Sequence, residues 1–262
     1  MQKSERITVK TSFERYRRQL MLDGFTPDHQ QKLKDSTVLI AGIGGLGGTA
    51  ALYLAVAGIG KMIFAHSGNL TLSNMNRQIL MRDDWIGKSR VVQGMKSIKD
   101  INPEVEVEIY DERTSGENIE KLLGGVHIAL SARPNFDERR VLNAACVKKK
   151  IPLVEAAMNG MEGYICNIVP GVTPCLNCLY PDDNPAWEEL GFPVLGAVSG
   201  MLGCMVSIEA IKLLTGYGKP LSSQMLVFNT IDMEFRKLVT HRDLHCSVCG
   251  QTSSAQKNLP AN

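Results

Sequence analysis

The amino-acid sequence predicts an α/β protein whose core is a Rossmann-like, mostly parallel β-sheet flanked by helices. The first observation is a short apolar run, Thr37–Ala41, followed at once by glycines at 42, 44 and 47. Such a run is typical of a strand buried on both faces, and G-x-G-x-x-G spacing is typical of the turn from that strand into a helix. The second observation is that apolar runs alternate with helical segments between residues 36 and 157. This alternation predicts parallel strands joined by right-handed crossovers.

In chain order, the elements form one predicted domain of residues 1–250, with a Rossmann-like half at about 36–157 and a closing half at about 158–250. Strands are predicted at 37–41, 61–65, 105–110, 126–130 and 151–156, as a pair within 160–169, and at 225–229 and 230–238. Helices are predicted at 14–22, 28–34, 50–57, 87–102, 117–123, 136–149 and 194–214. We expect a mobile loop at 182–192 and a disordered tail at 251–262.

Composition and charge exclude several classes of partner. The 262 residues are 44% apolar, which is enough for one large core. A net charge of +2 gives no reason to expect a nucleic acid partner. We expect no stretch to be long and apolar enough to span a membrane, and the first ten residues lack the apolar centre of a signal peptide. We therefore expect a cytoplasmic protein.

Four of the seven cysteines form two C-x-x-C pairs, which are Cys175 with Cys178 and Cys246 with Cys249. In a cytosolic chain, two such pairs predict a tetrahedral zinc site rather than disulfides. The alternative is two unrelated surface turns. A structural zinc ion would tie the end of the chain back onto the domain. The other three cysteines lie in apolar runs that are typical of the core.

The glycine turn predicts a nucleotide without specifying which one. A dinucleotide site needs an acidic residue at the end of the second strand to hold the ribose. That position is His66, followed by Ser67 and Gly68. The missing acid disfavours a nicotinamide oxidoreductase.

Taken together, the motifs resemble the MoeB/ThiF/HesA family, bacterial relatives of the ubiquitin-activating enzymes. The motifs are RYRRQ at 15–19, GIGGLG at 42–47, SNMNRQ at 73–78, GK at 87–88, and the two cysteine pairs CLNC and CSVC. The resemblance implies a ThiF/MoeB-type fold with a C-terminal four-cysteine zinc knuckle. It also implies a homodimer that uses Mg-ATP to adenylate the C-terminal glycine of a ubiquitin-like sulfur carrier.

Several site residues follow from the resemblance. Arg18 matches an arginine that reaches the partner subunit's ATP, and Arg77 and Lys88 match residues that grip the triphosphate. Cations suit adenylyl transfer because negative charge develops on the leaving pyrophosphate. The remaining matched positions form the phosphate loop and its neighbour: Gly42, Gly44, Gly45, Gly47 and Asn74.

The sequence departs from the family where the family has acids. His66 and Gly68 stand at the acidic ribose positions, and Pro134 stands where the family's second aspartate holds magnesium. Mg²⁺ prefers carboxylate oxygens, so its use here is in question. Arg133 brings positive charge to the same place. Asp137, one turn further on, would replace the missing magnesium ligand only if the backbone here differed from that of the family. No cysteine lies between 181 and 196, where Glu188 and Glu189 occur instead of the thiol that some relatives carry.

Three hypotheses follow. The chain is an adenylating enzyme with an altered ATP site, a non-catalytic scaffold or inactive partner subunit, or a nicotinamide oxidoreductase. The kept cations favour the first, the lost acids favour the second, and His66 disfavours the third. The carboxylate substrate stays open between a sulfur carrier, a peptide and a small carboxylic acid.

Overall fold

The computed structural model describes residues 11–182 and 191–250, without the side chains of residues 11 and 12. Most of the loop predicted at 182–192, including Glu188 and Glu189, and the whole predicted tail at 251–262 lie outside these residues. Predictions about those two segments therefore stay untested.

One eight-stranded sheet runs through the domain in the order β3-β2-β1-β4-β5-β6-β7-β8. The first five strands in this order are parallel, and β6, β7 and β8 add to β5 as antiparallel neighbours. The strands are β1 Thr37–Ala41, β2 Lys61–Ala65, β3 Glu106–Tyr110, β4 Ile128–Ser131, β5 Leu153–Asn159, β6 Glu162–Ile168, β7 Gln224–Asn229 and β8 Glu234–Val239. The predicted α/β fold with a mostly parallel Rossmann-like half is confirmed.

Helices cover both faces of the sheet. They are α1 Pro27–Lys34, α2 Gly45–Ala57, α3 Arg90–Ile101, α4 Ile119–Leu122, α5 Phe136–Lys149, α6 Leu176–Leu179 and α7 Gly196–Thr215. Two apolar cores result, because successive side chains of a strand point to opposite faces. In β1, Val38 and Ile40 belong to the core under α2 and α7, while Leu39 and Ala41 belong to the core under α4 and α5.

The β5–β6 hairpin corrects the prediction of a strand pair within residues 160–169. β5 continues to Asn159, and the single strand β6 pairs back onto it, with Asn159 opposite Glu162. The two residues between them form the turn, and Gly160 has φ +64°. A two-residue hairpin turn favours glycine at such a position, since a positive φ strains other residues.

Several element boundaries also differ from the prediction. The segment 14–22 is not one helix but two 3₁₀ turns, Thr11–Tyr16 and Gln19–Met21. The helix predicted from residue 87 begins at Arg90, and the strand predicted from residue 230 begins at Glu234. Helix α2 begins at Gly45, five residues before the predicted start at 50.

Helix α7 corrects the expectation that no stretch is long and apolar enough to cross a membrane. It has 20 residues, most of them apolar, so it passes that test by length and composition. In the fold, Val198, Leu202, Val206 and Ala210 are buried on one side of the helix, which packs against α2 and the sheet. This spacing of four residues is that of a core helix.

Candidate functional site

A cavity of about 990 Å³ opens at the carboxyl ends of the parallel strands. The strand order reverses between the adjacent strands β1 and β4. Open α/β sheets bind their ligands at such a point. The lining is rich in cations. Within the part of the chain that the structure describes, one carboxylate residue lines the cavity, Glu162. The lining arginines are Arg77, Arg90, Arg113, Arg133 and Arg139.

The glycine turn forms one wall of this cavity. A Cβ at Gly42, where φ is +100°, would lie 2.6 Å from the Ala132 carbonyl oxygen, and a Cβ at Gly47 would lie 1.8 Å from the Gly42 oxygen. A Cβ at Gly45 would lie 2.6 Å from Ser199 Oγ. The backbone oxygens therefore exclude a side chain at 42 and 47, whereas a side chain at 45 would require Ser199 to move. At Gly44 the nearest atom would be 3.8 Å away, so the space beside it is open to a ligand.

Helix α2 begins directly after this turn, with Gly44 as its N-cap. The first N–H groups of a helix have no partner within the helix, and the helix dipole adds partial positive charge there. Gly44, Gly45 and Leu46 all line the cavity. The wall is therefore suited to a phosphate group.

Arg77 and Asn74 lie beside the glycine turn and line the cavity, as their proposed roles require. The Arg77 guanidinium donates from Nη1 to the Ser73 carbonyl oxygen at 2.9 Å and to Asn76 Oδ1 at 2.8 Å. Burial lowers the pKa of Arg77. Asn74 Oδ1 accepts from the Thr71 amide at 3.1 Å, which holds the short helical turn in place.

At the cavity, Arg90 stands where the sequence suggests Lys88. Lys88 does not line the cavity; its Nζ donates to the Asp84 carbonyl oxygen at 3.1 Å and lies 4.7 Å from the Trp85 ring centroid. Arg90 lines the cavity instead, at the first turn of α3. The role of Lys88 stays a prediction. Sequence reasoning missed Arg90, although its place at the start of the helix after Gly87 was a usable signal.

His66 is 5% exposed and contacts the glycine turn. Its Nδ1 lies 3.3 Å from the Ile43 amide and 3.0 Å from Arg133 Nη1. Both neighbours can only donate, so Nδ1 accepts and Nε2 carries the proton. Burial, and then the charges of Arg90, Arg133 and Arg113, hold the pKa of His66 well below its usual value. The imidazole is therefore neutral.

The expected magnesium position holds an ion pair between two side chains. Arg133 Nη2 donates to Glu138 Oε1 at 2.8 Å, and both side chains are under 10% exposed. Glu138 also accepts from the Thr114 amide at 3.1 Å and from Asn135 Nδ2 at 2.8 Å. With the carboxylate committed to these donors and Pro134 beside it, the residues present do not fit a magnesium ion.

The far end of the cavity is aromatic. Phe136, Tyr164 and Tyr180 pack together there, with ring centroids 5.6–5.8 Å apart. Arg139 lies 4.5 Å over the Phe136 ring and donates from Nε to Glu155 Oε1 at 3.0 Å. Burial and the Glu155 charge raise the pKa of Tyr164. This network joins segments far apart in the chain, and sequence reasoning missed it.

The predicted cysteine cluster is confirmed, away from the cavity lining. Its four sulfur atoms lie within 4.8 Å of one another. The Sγ–Sγ distances are 3.9 Å for Cys175–Cys178, 3.6 Å for Cys175–Cys246 and 3.3 Å for Cys178–Cys249. A tetrahedron with Zn–S near ~2.3 Å has S–S edges of ~3.8 Å. The arrangement therefore fits one tetrahedral metal ion.

Hydrogen bonds hold the two cysteine pairs to the domain. The Leu176 amide donates to Asn143 Oδ1 of α5 at 3.0 Å. Arg242 donates to the Gly171 carbonyl oxygen at 2.9 Å and to that of Cys249 at 2.7 Å. These contacts connect residues from both segments of the cluster.

Arg18 is exposed between the two N-terminal 3₁₀ turns. It does not line the cavity of its own chain. Its predicted role, which requires a second subunit, is left untested by a single chain.

Comparison with known proteins adds four findings. A family model described as "ThiF family" matches residues 16–248. The chain is 53% identical over 245 residues to the vegetative protein HesA of Trichormus variabilis, covering 94% of this chain and 92% of that protein. It is 35% identical over 244 residues to the sulfur carrier protein ThiS adenylyltransferase of Escherichia coli, covering 92% and 97%. A crystal structure of E. coli MccB with MccA-N7isoASN has a TM-score of 0.83 at 23% identity, covering 92% of this chain and 76% of that one, which shows the fold alone.

Proposed function

The chain belongs to the ThiF family, and from that premise we propose that it binds a nucleotide and adenylates a carboxylate. The substrate in this proposal is the C-terminal glycine of a ubiquitin-like sulfur carrier, in the biosynthesis of a sulfur-containing cofactor. A relative that is 35% identical is named as the adenylyltransferase of the sulfur carrier protein ThiS. A small carboxylic acid is the other substrate with the same chemistry.

The observation that carries the proposal is the cationic cavity against the glycine turn. The N-terminus of α2 offers N–H donors, and Arg77 lies beside it with its guanidinium held by Ser73 and Asn76. In adenylyl transfer a carboxylate oxygen attacks the α-phosphorus and pyrophosphate leaves. Positive groups held in place before the reaction stabilise the charge that develops on the leaving oxygens.

Arg133 takes the place of the magnesium ion in this proposal. A guanidinium can neutralise phosphate oxygens without a metal. A bound metal can contribute several kcal/mol of transition-state stabilisation, and here Pro134 offers it no ligand. We therefore expect nucleotide binding that is weak and largely independent of magnesium, and adenylyl transfer that is slow.

A specific observation favours a second candidate, a non-catalytic scaffold or inactive partner subunit. Arg133 is already paired with Glu138 at 2.8 Å, so its charge is partly neutralised before any nucleotide arrives. His66 also offers no carboxylate to the ribose. Binding of nucleotide without transfer would fit this second candidate.

The rest of the proposal concerns assembly. We propose a cytoplasmic homodimer in which Arg18 reaches the nucleotide of the partner subunit. The exposure of Arg18 outside its own cavity supports this. We also propose that the four cysteines hold a structural Zn²⁺.

Pyrophosphate exchange with candidate carrier proteins tests the function. The wild type is compared with the double variant His66→Asp/Pro134→Asp, with and without magnesium. We expect slow, magnesium-independent exchange by the wild type and faster, magnesium-dependent exchange by the double variant. Brisk magnesium-dependent exchange by the wild type would overturn the altered mechanism. Nucleotide binding by both proteins with exchange by neither would favour the scaffold.

A further inference from the structure

We infer that the end of the cavity at residues 66–68 binds a phosphate carried on the 2′- or 3′-hydroxyl of the nucleotide's ribose. This inference rests on the proposed function, because it requires a nucleotide at the glycine turn. In doubly wound folds, the end of the second strand contacts the ribose hydroxyls. An acid there holds an unmodified ribose, whereas an arginine nearby accommodates a 2′-phosphate. In this chain the acid is missing and an arginine lies against the position.

Arg90 is that arginine. Its Nη2 donates to the Ser67 carbonyl oxygen at 2.7 Å and its Nε to the Gly68 oxygen at 3.1 Å. Gly68 has φ +95°, and a Cβ there would lie 3.0 Å from Arg90 Nη2. A side chain at 68 would therefore crowd the guanidinium. Burial, followed by the charges of Arg133 and Arg77, lowers the pKa of Arg90 to about 10, which still leaves it charged at neutral pH.

His66 supplies a second, independent observation. Its Nδ1 accepts from the Ile43 amide and from Arg133, so the proton is on Nε2. That nitrogen is buried and has no hydrogen-bond partner among the described residues, and the His66 side chain belongs to a residue that lines the cavity. A buried donor without a partner destabilises the structure, because it has lost its hydrogen bond to water. A phosphate oxygen bound here would accept its hydrogen bond.

The surrounding charge selects an anion rather than a hydroxyl. Arg90, Arg113 and Arg133 all lie close enough to His66 to lower its pKa. Among the described residues, the carboxylates near them include Glu138, 4.0 Å from Arg113 Nη1 and paired with Arg133, and Asp111, which accepts from Ser89 Oγ at 2.5 Å. Arg90, Arg113 and Arg133 thus bring three guanidinium groups to this end of the cavity. A phosphate monoester brings about −1.5 to −2 charge at neutral pH, and guanidinium groups bind such an anion more strongly than a neutral hydroxyl.

Calorimetric titration with four nucleotides tests the inference on the full chain. Adenosine 2′,5′-bisphosphate carries its second phosphate on the ribose 2′-hydroxyl, and adenosine 3′,5′-bisphosphate carries it on the 3′-hydroxyl. 5′-ADP carries as many phosphates, all at the 5′ position, and 5′-AMP carries one fewer. We expect one of the two bisphosphates to bind at least tenfold more tightly than 5′-ADP. The preferred isomer identifies the hydroxyl that carries the phosphate.

Two variants and a control locate the effect. Arg113→Gln changes an exposed side chain and should fold, and it should reduce the preference for the bisphosphate at least threefold. His66→Asp should reverse the preference in favour of 5′-ADP, because a carboxylate repels a phosphate and accepts from a hydroxyl. Arg82→Gln, an exposed arginine outside the cavity lining, should change nothing.

The outcomes separate this inference from the proposed function. If 5′-ADP binds as tightly as both bisphosphates, the ribose-phosphate site is excluded while nucleotide binding stands. If His66→Asp keeps the wild-type preference, the phosphate is not bound at residues 66–68. If none of the four nucleotides binds, both proposals fail.

Discussion

The four-cysteine cluster is closed and mostly buried, whereas the cationic cavity is open. The cluster draws four identical ligands from two short segments, and three of its four cysteines are buried. The cavity has a volume of about 990 Å³ and is lined by five arginines from different parts of the chain. A closed set of four ligands has no free position for a substrate, which supports the proposed structural role of the cluster. The open, cationic cavity has room for an anion, which supports its proposed role as the nucleotide site.

The largest effect that we expect comes from breaking the cluster. Structural zinc contributes on the order of 10 kcal/mol of binding free energy in zinc-finger peptides. Cys249→Ser should lose the metal and destabilise the fold by more than about 4 kcal/mol, as measured by metal analysis and thermal unfolding. Cys204→Ser, a half-buried cysteine outside the cluster, is the matched control and should keep one zinc per chain. Wild-type protein purified without chelator that holds far less than one zinc would contradict the assignment.

A second test asks whether the buried ion pair at the aromatic end of the cavity has a structural role as well. Arg139 and Glu155 are 4% and 0% exposed, so removing one partner leaves the other charge buried and unpaired. Arg139→Met should cost about 3–5 kcal/mol in urea denaturation. Arg139→Met/Glu155→Leu should recover most of that loss because both charges are then absent. A double variant as unstable as the single one would mean that packing, not charge, sets the cost.

The pH dependence of stability tests the environment of His66. Burial and the neighbouring arginines hold the pKa of folded His66 well below 6.5, whereas an unfolded histidine titrates near 6.5. As the pH falls below 6.5, the unfolded state binds the proton more readily and the fold loses stability. Between pH 7 and pH 5, the loss in His66→Gln should be roughly 2 kcal/mol smaller than in the wild type, measured by urea denaturation at each pH. Equal losses would place His66 in a more polar environment than the structure shows.

The smallest expected effect is on nucleotide binding at the glycine turn. Arg77→Ala should weaken binding about tenfold, which is about 1.4 kcal/mol, because one guanidinium beside the phosphates is lost. Lys88→Ala, measured in the same titration, tests the sequence prediction for that residue. Tenfold weaker binding would support Lys88 as a ligand, whereas an unchanged Kd would remove it from the site. Unchanged affinity in Arg77→Ala would likewise remove Arg77 from the phosphate site.

Strands β1, β2 and β4 could be predicted because they are largely buried, so that an apolar run marks each of them. The edge strand β3 is more exposed and carries Glu106 and Glu108, and it could be predicted from its alternating pattern instead. The antiparallel half was harder. β5 runs on from the buried Ala156 through Met158 to the exposed Asn159, and β8 is exposed along its whole length. Neither segment carries the apolar pattern that separates a strand from a loop. Their strand conformation depends on pairing with β6 and β7, which the local sequence alone does not reveal.

The sequence by itself determined the glycine turn, the four cysteines and the lack of acids at His66 and Pro134. Each depends on a backbone or ligand preference that acts over a few residues. Only the tertiary structure decided that Arg133 contacts His66, 67 residues away, and that Arg90 rather than Lys88 faces the cavity. The physical reason is that parallel strands end at one edge of the sheet. Charges from distant segments meet there, at separations set by strand order and not by spacing in the chain.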